Sequence, residues 1–104
     1  MRLSDSEITL LMQVFQSFGL LPDCKVFLFG SRIDEMKKGG DIDLLLVCPE
    51  NLYSSILEKK FRIKAELEFV VGEQRVDLTL ATPQKLESDP FLLSIRPAAI
   101  EIST

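Results

Sequence analysis

The hydrophobic positions fall into short runs parted by polar turns. Near the start, Ile8, Leu11, Met12, Phe15 and Phe18 recur at three- and four-residue steps, the period of a helix with one apolar stripe. Ser4, with Glu7 three residues on, fits a capping box. Gly19 and Pro22 supply a stop. The spacing predicts a first helix over about Asp5–Phe18, with its stripe in the core. Lys25–Phe29 is short, apolar and bounded, as a strand would be. Asp41–Val47 is nearly unbroken apolar sequence after an acidic start, which predicts a second strand buried on both faces.

Cys48-Pro49-Glu50-Asn51 ends that strand. A second helix is expected from Asn51 or Leu52, with Tyr53, Ile56, Leu57, Phe61 and Ala65 as its stripe. Leu67–Val71 reads either as its last turns or as a strand folding back at Gly72, and a helix to about Glu68 is expected. In Arg75–Leu80, Val76, Leu78 and Leu80 alternate with Arg75, Asp77 and Thr79, the pattern of a third strand with one apolar face. Asp89-Pro90 pairs an N-cap with proline at the first helical position and predicts a short helix to Ile95. The apolar tail Ala98–Ile102 either packs on the sheet or meets another subunit.

A tight connection between the first two strands favours antiparallel pairing, whereas the helical crossover before the third permits parallel pairing. The expected fold class is α+β, a small mixed sheet with helices packed on one face. At 104 residues the chain is expected to be one domain, 1–104.

Composition narrows the chemistry. Apolar residues make up 46% and charged residues 27%, as in soluble globular chains. The apolar runs fall far short of the roughly 20 residues that span a bilayer. The acidic start, Ser4 to Glu7, does not look like a signal peptide. A cytoplasmic location with no membrane partner is therefore expected. The net charge of −4 opposes binding to a phosphate polymer, so nucleic acid is not expected as a partner. Two cysteines, Cys24 and Cys48, are too few for a disulfide framework and are expected to be free and buried. The absence of histidine excludes serine–histidine and cysteine–histidine hydrolases and the usual zinc sites. What remains is chemistry on carboxylates, hydroxyls, lysine, arginine or a metal.

The candidate site lies between the first two strands. Val26–Phe29 ends at Gly30-Ser31, a polar excursion closes on Gly39-Gly40, and Asp41-Ile42-Asp43 opens the second strand. Side chains two apart in a strand share a face, so Asp41 and Asp43 would point the same way. Two such carboxylates repel unless a cation sits between them or one is protonated. Oxygen ligands of this kind suit Mg²⁺, which takes one or two carboxylates and completes its shell with phosphate oxygens. Gly30 would let a backbone approach phosphate, and Ser31 adds a hydroxyl and an N–H. A helical turn over Arg32–Lys38 would present its positive end to an anion. Asp77, near the start of the third strand, would join the pair if strands two and three are parallel. An EF-hand loop fails because Leu45 stands at its fifth position, and no Gly-Lys-Ser/Thr follows Gly30 as a Walker loop requires.

Gly30-Ser31, then Asp41-Ile42-Asp43-Leu44, then Arg75-Val76-Asp77-Leu78 together resemble the minimal nucleotidyltransferases of the DNA polymerase β superfamily. The resemblance spans Val26–Thr82 and is most specific over Phe29–Val47. It implies a polymerase β-like fold in which Asp41 and Asp43 bind two Mg²⁺ ions and Asp77 shares the catalytic metal and helps draw the acceptor's proton. It implies that Gly30 and Ser31 hold the β- and γ-phosphates of ATP, with Arg32 and Gly40 beside them. The implied reaction is transfer of a nucleoside monophosphate to a hydroxyl, with loss of pyrophosphate. The chain departs from many members at Ile33-Asp34-Glu35, where a small residue and a basic one are common, and at Gly40, where serine is common. Such small members often pair with a helical HEPN-type protein, in some cases as an antitoxin that modifies a toxin. The implied partners are thus a nucleoside triphosphate and a small helical protein or a second copy. Two other roles fit the same residues: a non-catalytic antitoxin acting by contact, and a nucleotidyltransferase for small molecules such as aminoglycosides.

Overall fold

The computed structural model describes residues 3–30, 41–72 and 74–103. The helical turn expected over Arg32–Lys38 lies outside them. Helix α1 spans Asp5–Ser17 and opens on the expected capping box: Ser4 Oγ accepts from the Glu7 N–H, and the Ser4 N–H donates to Glu7 Oε1 at 3.0 Å. It closes with Gly19 at φ +74°, the Gly19 N–H donating to Gln16 O and the Leu20 N–H to Phe15 O. That is the left-handed glycine stop in which two orphan carbonyls are satisfied.

Strands β1 (Lys25–Phe29) and β2 (Ile42–Val47) pair antiparallel, and β2 pairs parallel with β3 (Val76–Ala81). Both relations were expected from the connection lengths. The crossover from β2 to β3 consists of two helices, α2 (Glu50–Glu58) and α3 (Lys60–Val70), broken at Lys59. The expected single helix is thus divided, and its end lies two residues beyond Glu68. Two short helices follow β3. Helix α4 (Pro83–Ser88) is capped by Thr82, whose side chain accepts from the Lys85 N–H at 3.2 Å; α5 (Pro90–Ile95) is capped by Asp89, which accepts from the Phe91 and Leu92 N–H groups. A 3-10 turn at Arg96–Ala98 leads to β4 (Ile100–Glu101), which pairs antiparallel with β1. The apolar tail therefore packs on the sheet, whose strand order is β3-β2-β1-β4.

The period of two along the strands divides the core. Val26, Leu28, Ile42, Leu44, Leu46, Val76, Leu78 and Leu80 pack with α1, α2 and α3 on one face. Phe29, Leu45, Val47 and Ala81 pack on the other with Leu86 of α4 and Leu92 and Ile95 of α5. The long helices thus share one face, as expected, and the two short ones cover part of the reverse. Cys24 and Cys48 are free and buried, also as expected.

Candidate functional site at the head of the sheet

Asp41, Asp43 and Asp77 have odd numbers, as do Phe29, Leu45 and Ala81. The period of two therefore assigns them to the α4–α5 face. The parallel register sets Asp43 opposite Asp77, and the antiparallel register sets Phe29 opposite Asp43. Asp43 thus sits on the central strand of three, between the end of β1 and the start of β3. Adjacent strands are about 4.8 Å apart, so the two carboxylates are neighbours. Asp41 precedes β2 by one residue and reaches the same end through Arg75. The Arg75 Nε lies 3.6 Å from Asp41 Oδ2 and 3.7 Å from Asp77 Oδ1. The structure brings the three aspartates to one end of one face.

The start of β3 is held from below. The Val76 N–H donates to Glu68 Oε2 at 2.9 Å, and Lys64 Nζ reaches the same oxygen at 2.6 Å. The hydrogen bond from Lys64, then that from the Val76 amide, hold the Glu68 carboxyl below its ordinary pKa. The last turn of α3 thereby fixes where β3 begins, and with it the position of Asp77.

Gly30 ends β1 at φ +76°. A Cβ built there would overlap the Asp43 carboxylate, standing 2.9 Å from its Cγ and 3.2 Å from its Cβ. The sequence suggested glycine for close approach of a phosphate. In the structure the space a side chain would fill is taken by Asp43. Phe91 of α5 packs edge-on against Phe29 with ring centroids 6.4 Å apart, closing the α5 side of this corner. Ser31, Arg32 and Gly40 lie outside the described residues.

Asp41 and Asp77 are each about two-fifths exposed, and Arg75 more so. Carboxylate oxygens converging from two adjacent strands fit a hard divalent cation. Among the described residues no three acidic, cysteine or histidine side chains are preassembled as a metal cage. The positive charge between Asp41 and Asp77 is the Arg75 guanidinium. Such a solvent-exposed pair is worth about 0–1 kcal/mol and yields readily to a stronger cation. Arg75 was seen in sequence only as part of a strand motif. Its closeness to Asp77 follows from stepping two residues ahead on the same face, and its reach to Asp41 from the parallel pairing of β2 with β3.

A family model described as a nucleotidyltransferase domain matches residues 11–101. The chain belongs to the nucleotidyltransferase domain family. The mixed sheet and the five α-helices of the described residues are the nucleotidyltransferase fold of the polymerase β superfamily. Nucleotidyl transfer is the general activity that this membership supports. No curated protein sequence matches the chain. No helix among the described residues is long and apolar enough to cross a membrane.

Proposed function

We propose that the protein is a Mg²⁺-dependent nucleotidyltransferase that moves AMP from ATP to a hydroxyl on a partner protein. The observation that carries this reading is the register Asp43 opposite Asp77, with Gly30 against the Asp43 carboxylate. Asp41, Asp43 and Asp77 would hold the two metal ions. When bound, such a pair supplies charge stabilisation for both the attacking and the leaving oxygen of an in-line displacement. The chain's own work is mostly placement. Asp43, wedged between Gly30 and β3, has little room to turn. Asp77 lies at the margin of the carboxylate group, on the outermost strand, where an incoming acceptor hydroxyl has access and can give up its proton to a carboxylate oxygen. Ser31, Arg32 and Gly40 are proposed for the triphosphate.

The acceptor is proposed to be a small helical protein of HEPN type, with this chain as its antitoxin, acting in the cytoplasm. The support is the openness of the site: Asp41 and Asp77 are each about two-fifths exposed at one end of the sheet, within reach of a hydroxyl on a large acceptor. The test is incubation with α-labelled ATP, Mg²⁺ and the protein encoded beside it. Label should pass to that protein in a Mg²⁺-dependent way and disappear with Asp43→Asn. Equal labelling by Asp43→Asn would reject the reading.

A further inference from the structure

Helix α3 shows solvent an aromatic face on the side of the molecule opposite the aspartates. Ile63 and Leu67 point into the core, and the exposed face carries Phe61, 81% exposed, and Phe69, 72% exposed, with Ala65 midway between them. These three stand four residues apart, in one row along the helix. Beside the row is a hollow of about 360 Å³ lined by Phe18, Arg62, Ala65, Glu66 and Phe69. Leu57 of α2, about half exposed, lies one turn before Phe61. Two phenylalanines left in water on one helix face mark an interaction surface.

The charges on this helix are segregated. Lys60, Arg62 and Lys64 occupy its first half, and Glu66 and Glu68 its second; Lys64 and Glu68 pair with each other within the chain, so the charges on the flank of the row are Arg62 and Glu66. A helix of this kind is complementary to itself turned end for end. We infer that the α3 face pairs with the α3 face of a second copy, antiparallel about a twofold axis at Ala65. Because 61 and 69 are equally distant from 65, Phe61 of each copy comes opposite Phe69 of the other. The small side chain at the axis lets the helices approach. Arg62 and Glu66 lie on the same flank of the row, and the twofold brings Arg62 of one copy within about 3 Å, measured along the axis, of Glu66 of the other. Such an isologous interface meets itself and closes at two chains. Since α3 covers the face opposite Asp43 and Asp77, both carboxylate groups stay open in the pair. The inference is independent of the proposed acceptor and of the metal.

Sedimentation of the full chain over a concentration series tests this. The wild type should be a dimer at micromolar concentration. Phe61→Ser removes a side chain that makes little contact within the chain, so the fold should persist, and the dimer dissociation constant should rise by about 30-fold or more. Arg62→Glu and Glu66→Arg should each weaken the dimer, and the double variant should recover most of the loss. Circular dichroism checks that each variant is folded. A wild type that is monomeric at 100-fold higher concentration overturns the inference, as does a dimer indifferent to Phe61→Ser. Failure of the double charge swap to recover overturns the antiparallel register, as would binding of the α3 face to anionic vesicles while the chain stays monomeric.

Discussion

Replacing Gly30 by alanine separates a glycine kept for a turn from a glycine kept for the carboxylate next to it. Gly19, Gly30 and Gly72 have almost the same backbone angle, φ +74°, +76° and +76°. A left-handed residue with a Cβ costs roughly 1–2 kcal/mol, offset by about 0.4–1 kcal/mol because the unfolded chain loses freedom. These contributions are shared by all three sites. The difference lies in the space. A Cβ at Gly19 or Gly72 meets nothing within 4 Å, whereas at Gly30 it overlaps the Asp43 carboxylate. Asp43 lies in the central strand between β1 and β3, so relief requires a shift of the side chain or of the end of β1. Overpacking of this kind costs about 1–3 kcal/mol. Gly30→Ala should therefore destabilise by about 1–3 kcal/mol more than Gly72→Ala. At roughly 4–8 °C per kcal/mol for a domain of about this size, that is a gap of at least about 4 °C in thermal melting. It should also weaken Mg²⁺ binding, which Gly72→Ala should leave alone. Equal melting temperatures and equal Mg²⁺ affinity for the two variants would show that the Asp43 carboxylate does not need the space at residue 30.

Other outcomes follow from the same geometry. Arg75→Ala should tighten Mg²⁺ binding in a calorimetric titration, because the guanidinium between Asp41 and Asp77 competes for the same oxygens; unchanged affinity would remove Arg75 from the site. Asp43→Asn should lower the transfer rate by at least two orders of magnitude, since each ~1.4 kcal/mol of lost transition-state stabilisation is tenfold. Burial, then the neighbouring Cys24, pushes the Cys48 thiol up to about 12 from 9.0. The folded chain thus holds this proton more tightly than the unfolded one. The stabilisation is complete below pH 9 and lost as pH rises towards 12, so alkaline melts should fall through that window and a Cys48→Ala variant should fall less steeply. Glu68→Ala should speed hydrogen exchange at the Val76 amide, whose partner it removes, more than at Leu44 in the central strand.

Much of the fold could be read from the chain because local and global signals agree. Lys25–Phe29 and Pro90–Ile95 have the bounds that their patterns predict, and the capping box at Ser4 forms. The break at Lys59 was hidden because no glycine or proline marks it: the Lys59 N–H still donates to Ile56 O, and its carbonyl still accepts from the Ile63 N–H, so the sequence reads as one stripe. Helix α4 was missed for a different reason. Its six residues carry one apolar anchor, Leu86, too few for a period, although Thr82-Pro83 repeats the cap-then-proline signal that Asp89-Pro90 gave. Strand β4 is two residues long and exists through its partner, β1. At the site, the Asp-x-Asp spacing and the alternation around Asp77 were legible, and the parallel register brings Asp43 and Asp77 together. The contact of Gly30 with Asp43 and the bridging by Arg75 were not, because both depend on which strands lie side by side.

The most direct measurement replaces Mg²⁺ by paramagnetic Mn²⁺, with an ATP analogue present, and records the broadening of backbone amide signals. It needs no acceptor. Broadening should centre on Gly30, Ile42, Asp43 and Asp77, fade towards Val47 and Ala81 at the far end of the sheet, and disappear in Asp43→Asn. Broadening centred elsewhere, or left intact in Asp43→Asn, would contradict it.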